Sequence, residues 1–344
     1  MLQIVKPGIN VDFVGRRKIA YIFSGLLILG SMISLIAHGG PKYGVDFAGG
    51  AEILVPFKDP VSIQNVKTAL NTMGLQGTVQ QYGESDREYR ILISSALSEA
   101  EDSSQEIMQS LEQHTGMAIV EEGFQFEMVG PQVGHDLREK ALMAIFFALL
   151  FITVYISGRF EFKWMISAVM AATLGFIVYV LYGFNLSMPW LITIAMIATL
   201  VLFYLLKLKY AMGAIVALIH DVLITVGIFS FFGKEFNLTI IAALLTIIGY
   251  SLNDTIIVFD RIRENLRLKH RQPLNQIIND SVNQTLSRTI LTSGTTLLVV
   301  LSLFFLGGGI IHDFAFALLV GIAIGTYSSV FVASPILLVW QRRK

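Results

Sequence analysis

The sequence predicts a polytopic α-helical membrane protein that carries one α+β domain outside the bilayer. Of its 344 residues, 54% are hydrophobic and only 15% are charged, whereas soluble domains carry roughly 25% charged residues. The apolar residues form separate stretches, each near the ~20 residues that a helix needs to cross a bilayer. The one long polar segment, residues 39–138, instead has the patterns of short strands and helices. A transmembrane bundle joined to one extramembrane domain follows from these observations.

Eight stretches are predicted to span the membrane. The first follows Arg16, Arg17 and Lys18, lacks a small-residue cleavage site and is long enough to span, so we interpret it as an uncleaved anchor. The predicted spans lie near 18–37, 141–157, 165–182, 189–206, 211–231, 238–259, 289–306 and 314–339. The corresponding domains are an N-terminal segment 1–17, the first helix 18–37, an outer domain 38–138, a bundle 139–339 and a tail 340–344.

The charges of the connecting loops predict the orientation. Short cytoplasmic loops collect Lys and Arg, and here every second connection is basic, whereas 183–188, 232–237 and 307–313 have almost no basic residue. Both termini are therefore predicted to be cytoplasmic and the domain 38–138 to lie outside. The basic connections contain Arg16–Lys18, then Arg159 and Lys163, then Lys207 and Lys209, then Arg261, Arg263, Arg267, Lys269 and Arg271, and finally Arg342–Lys344.

The outer segment has a readable order of elements. Strands are predicted at 51–57, 77–82, 89–94 and 123–129, with a polar turn at 83–86, and amphipathic helices at 61–73 and 98–114. The order β-α-β-β-α-β is that of a ferredoxin-like sandwich. Such a fold hosts many functions and specifies none.

An internal repeat divides the bundle. The stretch that begins at Phe162 resembles the stretch that begins at Leu208, and similar tags, Phe184-Asn-Leu-Ser and Phe236-Asn-Leu-Thr, follow the two spans. A duplicated helical hairpin near 160–207 explains both similarities, although two apolar helices can also look alike by chance. The positions that align with His220 and Asp221 are Leu174 and Gly175, so we expect span 211–231 to be the working copy.

Ionisable residues inside the spans are the best candidates for function, since a charge at mid-helix costs about 2.5–3.5 kcal/mol or more. Asp254 lies within one span, flanked by Asn253 and Thr255, and Arg288 begins the next span. Consecutive antiparallel spans pack closely, so Asp254 and Arg288 are predicted to pair. Such a pair either neutralises a cost of assembly or lets the carboxylate bind and release a proton. The basic stretch 261–285 is expected to lie on the cytoplasmic surface.

His220 and Asp221 are the second candidates, near the middle of span 211–231. Adjacent helix positions point ~100° apart, so the two side chains are not expected to face each other. A satisfied interhelical hydrogen bond is favoured slightly over a proton relay.

Several other chemistries are disfavoured. The chain has no cysteine, which excludes disulfides and thiol catalysis, and no cluster of ligands predicts a metal site. The stretch Gly44-Val-Asp-Phe-Ala-Gly-Gly allows positive φ and close backbone approach but is no phosphate loop. Neither a nucleophile with its partners nor a basic, aromatic surface for nucleic acid is present, so no enzyme and no cofactor is predicted.

Four motifs resemble the SecF family of protein-export membrane proteins. They are Gly44-Val-Asp-Phe-Ala-Gly-Gly, Tyr155-Ile-Ser-Gly-Arg-Phe-Glu-Phe-Lys, Ala217-Leu-Ile-His-Asp and Gly249-Tyr-Ser-Leu-Asn-Asp-Thr with the following Phe-Asp-Arg-Ile-Arg-Glu-Asn. The resemblance covers nearly the whole chain. The motif glycines and acid are Gly44, Asp46, Gly49 and Gly50, and the family's intramembrane carboxylate and arginine match Asp254 and Arg288.

The resemblance implies an RND-like bundle in the bacterial inner membrane and proton-driven, late-stage protein translocation, with protons as the coupling ion. It implies SecD and the SecYEG channel as partners, with YajC and YidC as further candidates, and unfolded protein as substrate in a lipid membrane. Family members have six spans, so the hairpin 160–207 is a departure. The alternatives are a scaffold subunit that conducts no protons and, less favoured, an autonomous RND-type exporter.

Overall fold

Long helices make up most of the chain. The computed structural model describes residues 10–75, 77–82, 86–93, 102–183, 188–269 and 271–340. Parts of the predicted turn 83–86, the predicted helix start at 98–101, the tag 184–187 and both chain ends lie outside these ranges. Two helices, α3 (Ile63–Thr72) and α4 (Asp102–Thr115), pack with a β-sheet and are described with it below. The other long helices and one short one are α1 (Arg17–Ala37), α2 (Val45–Ala48), α5 (Pro131–Glu161), α6 (Trp164–Tyr182), α7 (Met188–Leu205), α8 (Lys209–Phe231), α9 (Leu238–Leu268), α10 (Leu274–Leu306) and α11 (Gly309–Ser328).

Seven helices of the described residues are long and apolar enough to cross a membrane. They are α1, α5, α6, α8, α9, α10 and α11 with the turns that follow it. Helix α7 is apolar but shorter, so the predicted span 189–206 corresponds to a helix at the lower limit of length. The bundle is therefore predominantly helical, as the sequence predicts.

Three helices extend well beyond the hydrophobic stretches. Helix α5 begins at Pro131, inside the range predicted for the outer domain, and α9 continues to Leu268. Helix α10 begins at Leu274. Most of the stretch 261–285, which was predicted to lie on the cytoplasmic surface, therefore belongs to the ends of these two helices. The two helices continue as a hairpin, in which Asn265 Nδ2 donates to Ser281 Oγ over 2.8 Å and Lys269 Nζ lies 2.6 Å from Asp280 Oδ2.

The polar segment forms a four-stranded antiparallel sheet with two helices. The order along the chain is β1 (Gly50–Pro56), α3 (Ile63–Thr72), β2 (Gly77–Gln81), β3 (Glu88–Ile93), α4 (Asp102–Thr115) and β4 (Gln125–Val129). The spatial order is β2-β3-β1-β4, with Ile53 opposite Ile91 on β3 and Phe126 on β4. We call this unit the sheet domain.

Alternation of side chains builds the core of the sheet domain. Ala51, Ile53 and Val55 on β1 are buried, as are Ile91 and Ile93 on β3, because successive strand residues point to opposite faces. Tyr89 also lies in this core, and its hydroxyl donates to the carbonyl oxygen of Val61. Burial raises the pKa of the Tyr89 phenol, and the nearby charge of Asp86 raises it further.

The glycine motif joins the sheet domain to the bundle. Gly44 N donates to the carbonyl oxygen of Phe236 over 2.8 Å, just before α9 begins. Gly49 has φ +76, and a Cβ there would lie 2.8 Å from Cα of Pro131 at the start of α5. Both the positive φ and the close approach require glycine at this position.

Close packing of α1 against α8 gives a test of the bundle. A Cβ at Gly227 on α8 would lie 2.0 Å from Cβ of Ser31 on α1. Gly227→Ala is therefore expected to push the helices apart and to destabilise the protein by about 1–3 kcal/mol, as overpacking does. The measurement is the thermal unfolding midpoint in detergent.

Gly25 on α1 provides the matched control, because a Cβ there would meet no described atom within 4 Å. Gly25→Ala should leave the midpoint unchanged or raise it slightly, since Ala favours helix over Gly. Equal midpoints for Gly227→Ala and the unchanged protein would contradict the packing of α1 on α8.

Candidate functional site

Asp254 is buried between three helices of the bundle. It lies sixteen residues after Leu238, about 24 Å along α9, and is 1% exposed. Ser293 Oγ on α10 donates to Asp254 Oδ2 over 3.1 Å. Thr326 Oγ1 on α11 donates to Ser293 Oγ over 2.8 Å. The carboxylate therefore has one direct hydroxyl donor, which a second hydroxyl supports.

Arg288 does not form the predicted direct pair with Asp254. Within the described part of the chain, no carboxylate oxygen lies within 4 Å of the Arg288 guanidinium. Arg288 nevertheless stands on α10 only five residues before Ser293, and its charge acts on the Asp254 carboxylate through space. The Arg288 side chain is exposed on the surface of this chain. The charge of Arg288 thus lies near Asp254, although the two side chains form no ion pair.

The two neighbours of Asp254 differ in position. Asn253 is exposed on the outer face of α9, whereas Thr255 is buried. Neither contributes a hydrogen bond to Asp254 among the contacts of the described residues. The supporting donor is Ser293, which sequence reasoning did not single out.

Asp221 is the most completely satisfied buried acid in the bundle. It is 0% exposed. Ser251 Oγ on α9 donates to Asp221 Oδ2 over 2.6 Å, and Ser328 Oγ on α11 donates to the same atom over 2.8 Å. Asp221 thereby connects α8 with α9 and α11.

His220 contacts Asp221, contrary to prediction. His220 Nδ1 lies 2.8 Å from Asp221 Oδ1 and His220 Nε2 lies 3.0 Å from Ser24 Oγ on α1. When Asp221 is ionised its oxygens only accept, so Nδ1 then carries a proton and the neutral imidazole accepts at Nε2 from Ser24. The ~100° angle between adjacent helix positions does not prevent the contact, because rotation about the side-chain bonds of His220 and Asp221 brings the two groups together.

Helix α11 takes part in both carboxylate sites. Thr326 supports the Asp254 site and Ser328 donates to Asp221 two residues later, while Tyr327 between them stacks on His220 with ring centroids 6.1 Å apart. Directly after them the helix widens into a π-helical turn, Ser329–Ala333. Such turns are frequent at functional sites. The run Thr326-Tyr-Ser-Ser in an apolar span was the available sequence signal.

The arrangement suits proton chemistry better than metal binding. Among the described residues, no group of three or more His, Asp or Glu side chains is placed to hold a metal ion. Each carboxylate instead accepts from serine hydroxyl groups, one at Asp254 and two at Asp221 among the described residues, and a hydroxyl both donates and accepts hydrogen bonds. A carboxyl group in such a setting can bind and release a proton.

The glycine motif contributes to the same helix as Asp254. Asp46 Oδ2 accepts from the backbone N–H of Leu238 over 2.8 Å, and Asn237 Oδ1 accepts from Ile240 N over 2.9 Å. Two free N–H groups at the start of α9 are thus capped. The third glycine of the motif, Gly50, begins β1 with φ +123. The motif fixes where α9 begins.

The extra hairpin contributes no ionisable group to the site. At the positions that align with His220 and Asp221, Leu174 is buried in apolar packing and Gly175 faces Phe147. Helix α6 therefore has packing contacts where α8 has its polar cluster.

Comparison with known proteins supports one family throughout. A family model described as protein export membrane protein SecD/SecF, C-terminal, matches residues 109–199 and 183–343, and a SecD/SecF GG motif model matches 34–61. The first model matches twice, and the matches overlap at residues 183–199. A duplicated hairpin would produce such an overlap.

Several curated relatives carry the same name. Proteins named protein translocase subunit SecF from Desulfurispirillum indicum and Magnetococcus marinus are 40% and 41% identical to this chain, over 97% and 100% of it and 92% and 97% of their own lengths. A crystal structure of SecDF from Thermus thermophilus matches with a TM-score of 0.75 and 31% identity, covering 100% of this chain and 40% of that chain.

The helical bundle and the glycine motif define a multi-pass inner-membrane protein of the SecD/SecF protein-export class. The chain belongs to the SecF family of protein translocase subunits.

Removal of the Asp221 carboxylate tests its part in the bundle. Asp221→Ala loses the contacts with His220, Ser251 and Ser328. Two of these hydrogen bonds, those from Ser251 and Ser328, join different helices. Hydrogen bonds between membrane helices are worth about 0.6 kcal/mol each, so a loss of roughly 1 kcal/mol is expected. The measurement is the unfolding midpoint in detergent.

Asp260→Ala is the control, because Asp260 forms an exposed ion pair with Arg159 at 2.7 Å, and exposed pairs contribute little. A similar midpoint for the Asp221 and Asp260 variants would contradict the assignment.

Proposed function

We propose that this chain acts with SecD and uses the proton motive force to promote late-stage translocation and release of proteins across the bacterial inner membrane. The observation that carries the proposal is Asp254, a buried carboxyl group with one hydroxyl donor and the charge of Arg288 nearby. A carboxylate inside a membrane is expensive and marks a functional site by default. The coupling ion is the proton.

The two buried acids have different numbers of donors, and this supports separate roles. Asp221 has contacts with His220, Ser251 and Ser328. If Asp221 exchanged these hydrogen-bond partners during a proton transfer, the packed cluster would break. Among the contacts of the described residues, Asp254 accepts a hydrogen bond only from Ser293. We assign proton exchange to Asp254 and structural support to Asp221 and His220, and we keep a relay through them as an open alternative.

Arg288 supplies the second half of the coupling mechanism. Its guanidinium stays charged in proteins, and it lies little more than one helical turn from Ser293 on α10. Movement of α10 that brings Arg288 to Asp254 would favour the ionised carboxylate, and movement away would favour proton binding. Proton uptake and release would then follow the relative position of α9 and α10.

The exposed face of α9 and α10 supports SecD as the partner. Thr246, Gly249 and Asn253 on α9 are exposed, as are Arg288 and Thr295 on α10. Polar groups that face lipid are costly, whereas small and polar residues suit contacts between membrane helices. A solved structure to which this chain is similar is named SecDF. We infer that this face contacts SecD.

The remaining assignments follow the same proposal. The β-α-β-β-α-β order with strands β2-β3-β1-β4 supports a ferredoxin-like fold for the sheet domain. We place this domain in the periplasm and both termini in the cytoplasm, with the SecYEG channel, YajC and YidC as further partners and unfolded protein as substrate.

Export in a strain that lacks its own SecF tests the coupling. The unchanged chain should restore stimulation of export by the proton motive force, and Asp254→Asn should reduce it to the level without SecF, because an amide cannot exchange a carboxyl proton. Asp260→Asn on the same helix is the control and should retain stimulation. Arg288→Lys should impair it, since Lys lacks the guanidinium fork.

A scaffold subunit that conducts no protons would give the opposite result in this export experiment. If Asp254→Asn and Arg288→Lys both support normal stimulated export, proton coupling through these residues is wrong. Copurification of SecD with each variant shows that loss of stimulation does not arise from loss of assembly.

A further inference from the structure

An apolar cavity lies between the extra hairpin and the rest of the bundle. Its volume is about 310 Å³, and residues of α5, α7, α8 and α9 line it. Six of the lining residues show its character: Ala141, Leu149, Ile192, Met196, Val222 and Phe236. Water needs polar partners, so these walls suit a hydrocarbon chain instead.

The cavity has the length of one membrane leaflet. Along α5 its lining extends from Arg138, near the sheet domain, to Leu149. Eleven residues of helix correspond to about 16 Å, and half of the hydrocarbon core of a bilayer is about 15 Å. An acyl chain that enters at the level of Arg138 would therefore end near the middle of the membrane.

Arg138 lines the end of the cavity nearest the sheet domain. It is the one charged residue among the described residues that line the cavity, and its guanidinium lies 5.1 Å from the centre of the Tyr43 ring. Within the described ranges no carboxylate lies within 4 Å of it. A guanidinium held in this way is suited to a phosphate group.

We propose that this cavity binds a glycerophospholipid from the leaflet next to the sheet domain, with one acyl chain along α7 and the phosphate at Arg138. Helix α7 provides Ile192 and Met196 to the cavity wall. The extra hairpin thereby completes a lipid site without adding an ionisable group to the bundle. This inference is independent of proton coupling.

Native mass spectrometry of the full chain, titrated with phosphatidylglycerol in detergent, tests the site. Met196→Trp fills the cavity and should weaken lipid binding about tenfold or more, because the loss of about two methylene contacts is sufficient for that change. Ile197→Trp is the matched control, since Ile197 is 58% exposed on the outside of the same helix. It should bind as the unchanged chain does.

A second pair of variants tests the headgroup contact. Arg138→Gln should weaken binding of phosphatidylglycerol but not of diacylglycerol, which lacks the phosphate. Lys140→Gln, at an exposed position two residues away, should affect neither lipid.

Three results would overturn the proposal. Undiminished binding in Met196→Trp, or equal losses in the two Trp variants, would show that the lipid binds elsewhere. Equal binding of the two lipids to the unchanged chain would show that Arg138 does not hold the phosphate. Equal unfolding midpoints of the variants confirm that they are folded.

Discussion

The free-energy cost of a carboxylate inside a membrane constrains how most helices of this bundle pack. Asp221 on α8 obtains its donors from Ser251 on α9 and Ser328 on α11, and His220 extends the cluster to Ser24 on α1. Four helices must therefore meet at one level. Asp254 imposes a second meeting point, where Ser293 joins α9 to α10. Helix α11 is common to both, so a change at one carboxylate is structurally connected to the other.

The sheet domain is attached to the segment that leads into α9, the helix that carries Asp254. Lys42 lies 2.9 Å from Glu235, and Arg90 on β3 binds Glu52 on β1 with distances of 2.5 and 2.8 Å. Arg90 also lies 3.5 Å from Glu235, just before α9. Together with the Asp46 cap, these contacts fix the sheet domain at the start of the helix that carries Asp254. The glycine motif thus has a structural purpose that neither phosphate binding nor catalysis would explain.

Much of this architecture follows from the sequence, and the failures have physical causes. Period-two alternation predicted all four strands to within one or two residues, because one face of the sheet is buried. The spans predicted from hydropathy end at charged residues, whereas α9 and α10 continue past them. They continue because Asn265 and Ser281 hold the two helices together beyond the apolar part. Ser293 was missed because most serines and threonines in helices bond to their own backbone, as Thr285 does with the Ser281 carbonyl. Only the neighbouring helix shows which hydroxyl serves a carboxylate.

The central claim is that Asp254 exchanges a proton while Asp221 does not. Infrared difference spectroscopy across a pH step, on the chain with SecD in lipid, measures carboxyl protonation directly. The account predicts a carboxyl band that changes with pH in the unchanged chain and in His220→Gln, and that is absent in Asp254→Asn. A band that persists in Asp254→Asn and disappears in Asp221→Asn would contradict it, because the proton site would then lie in the cluster assigned to structural support.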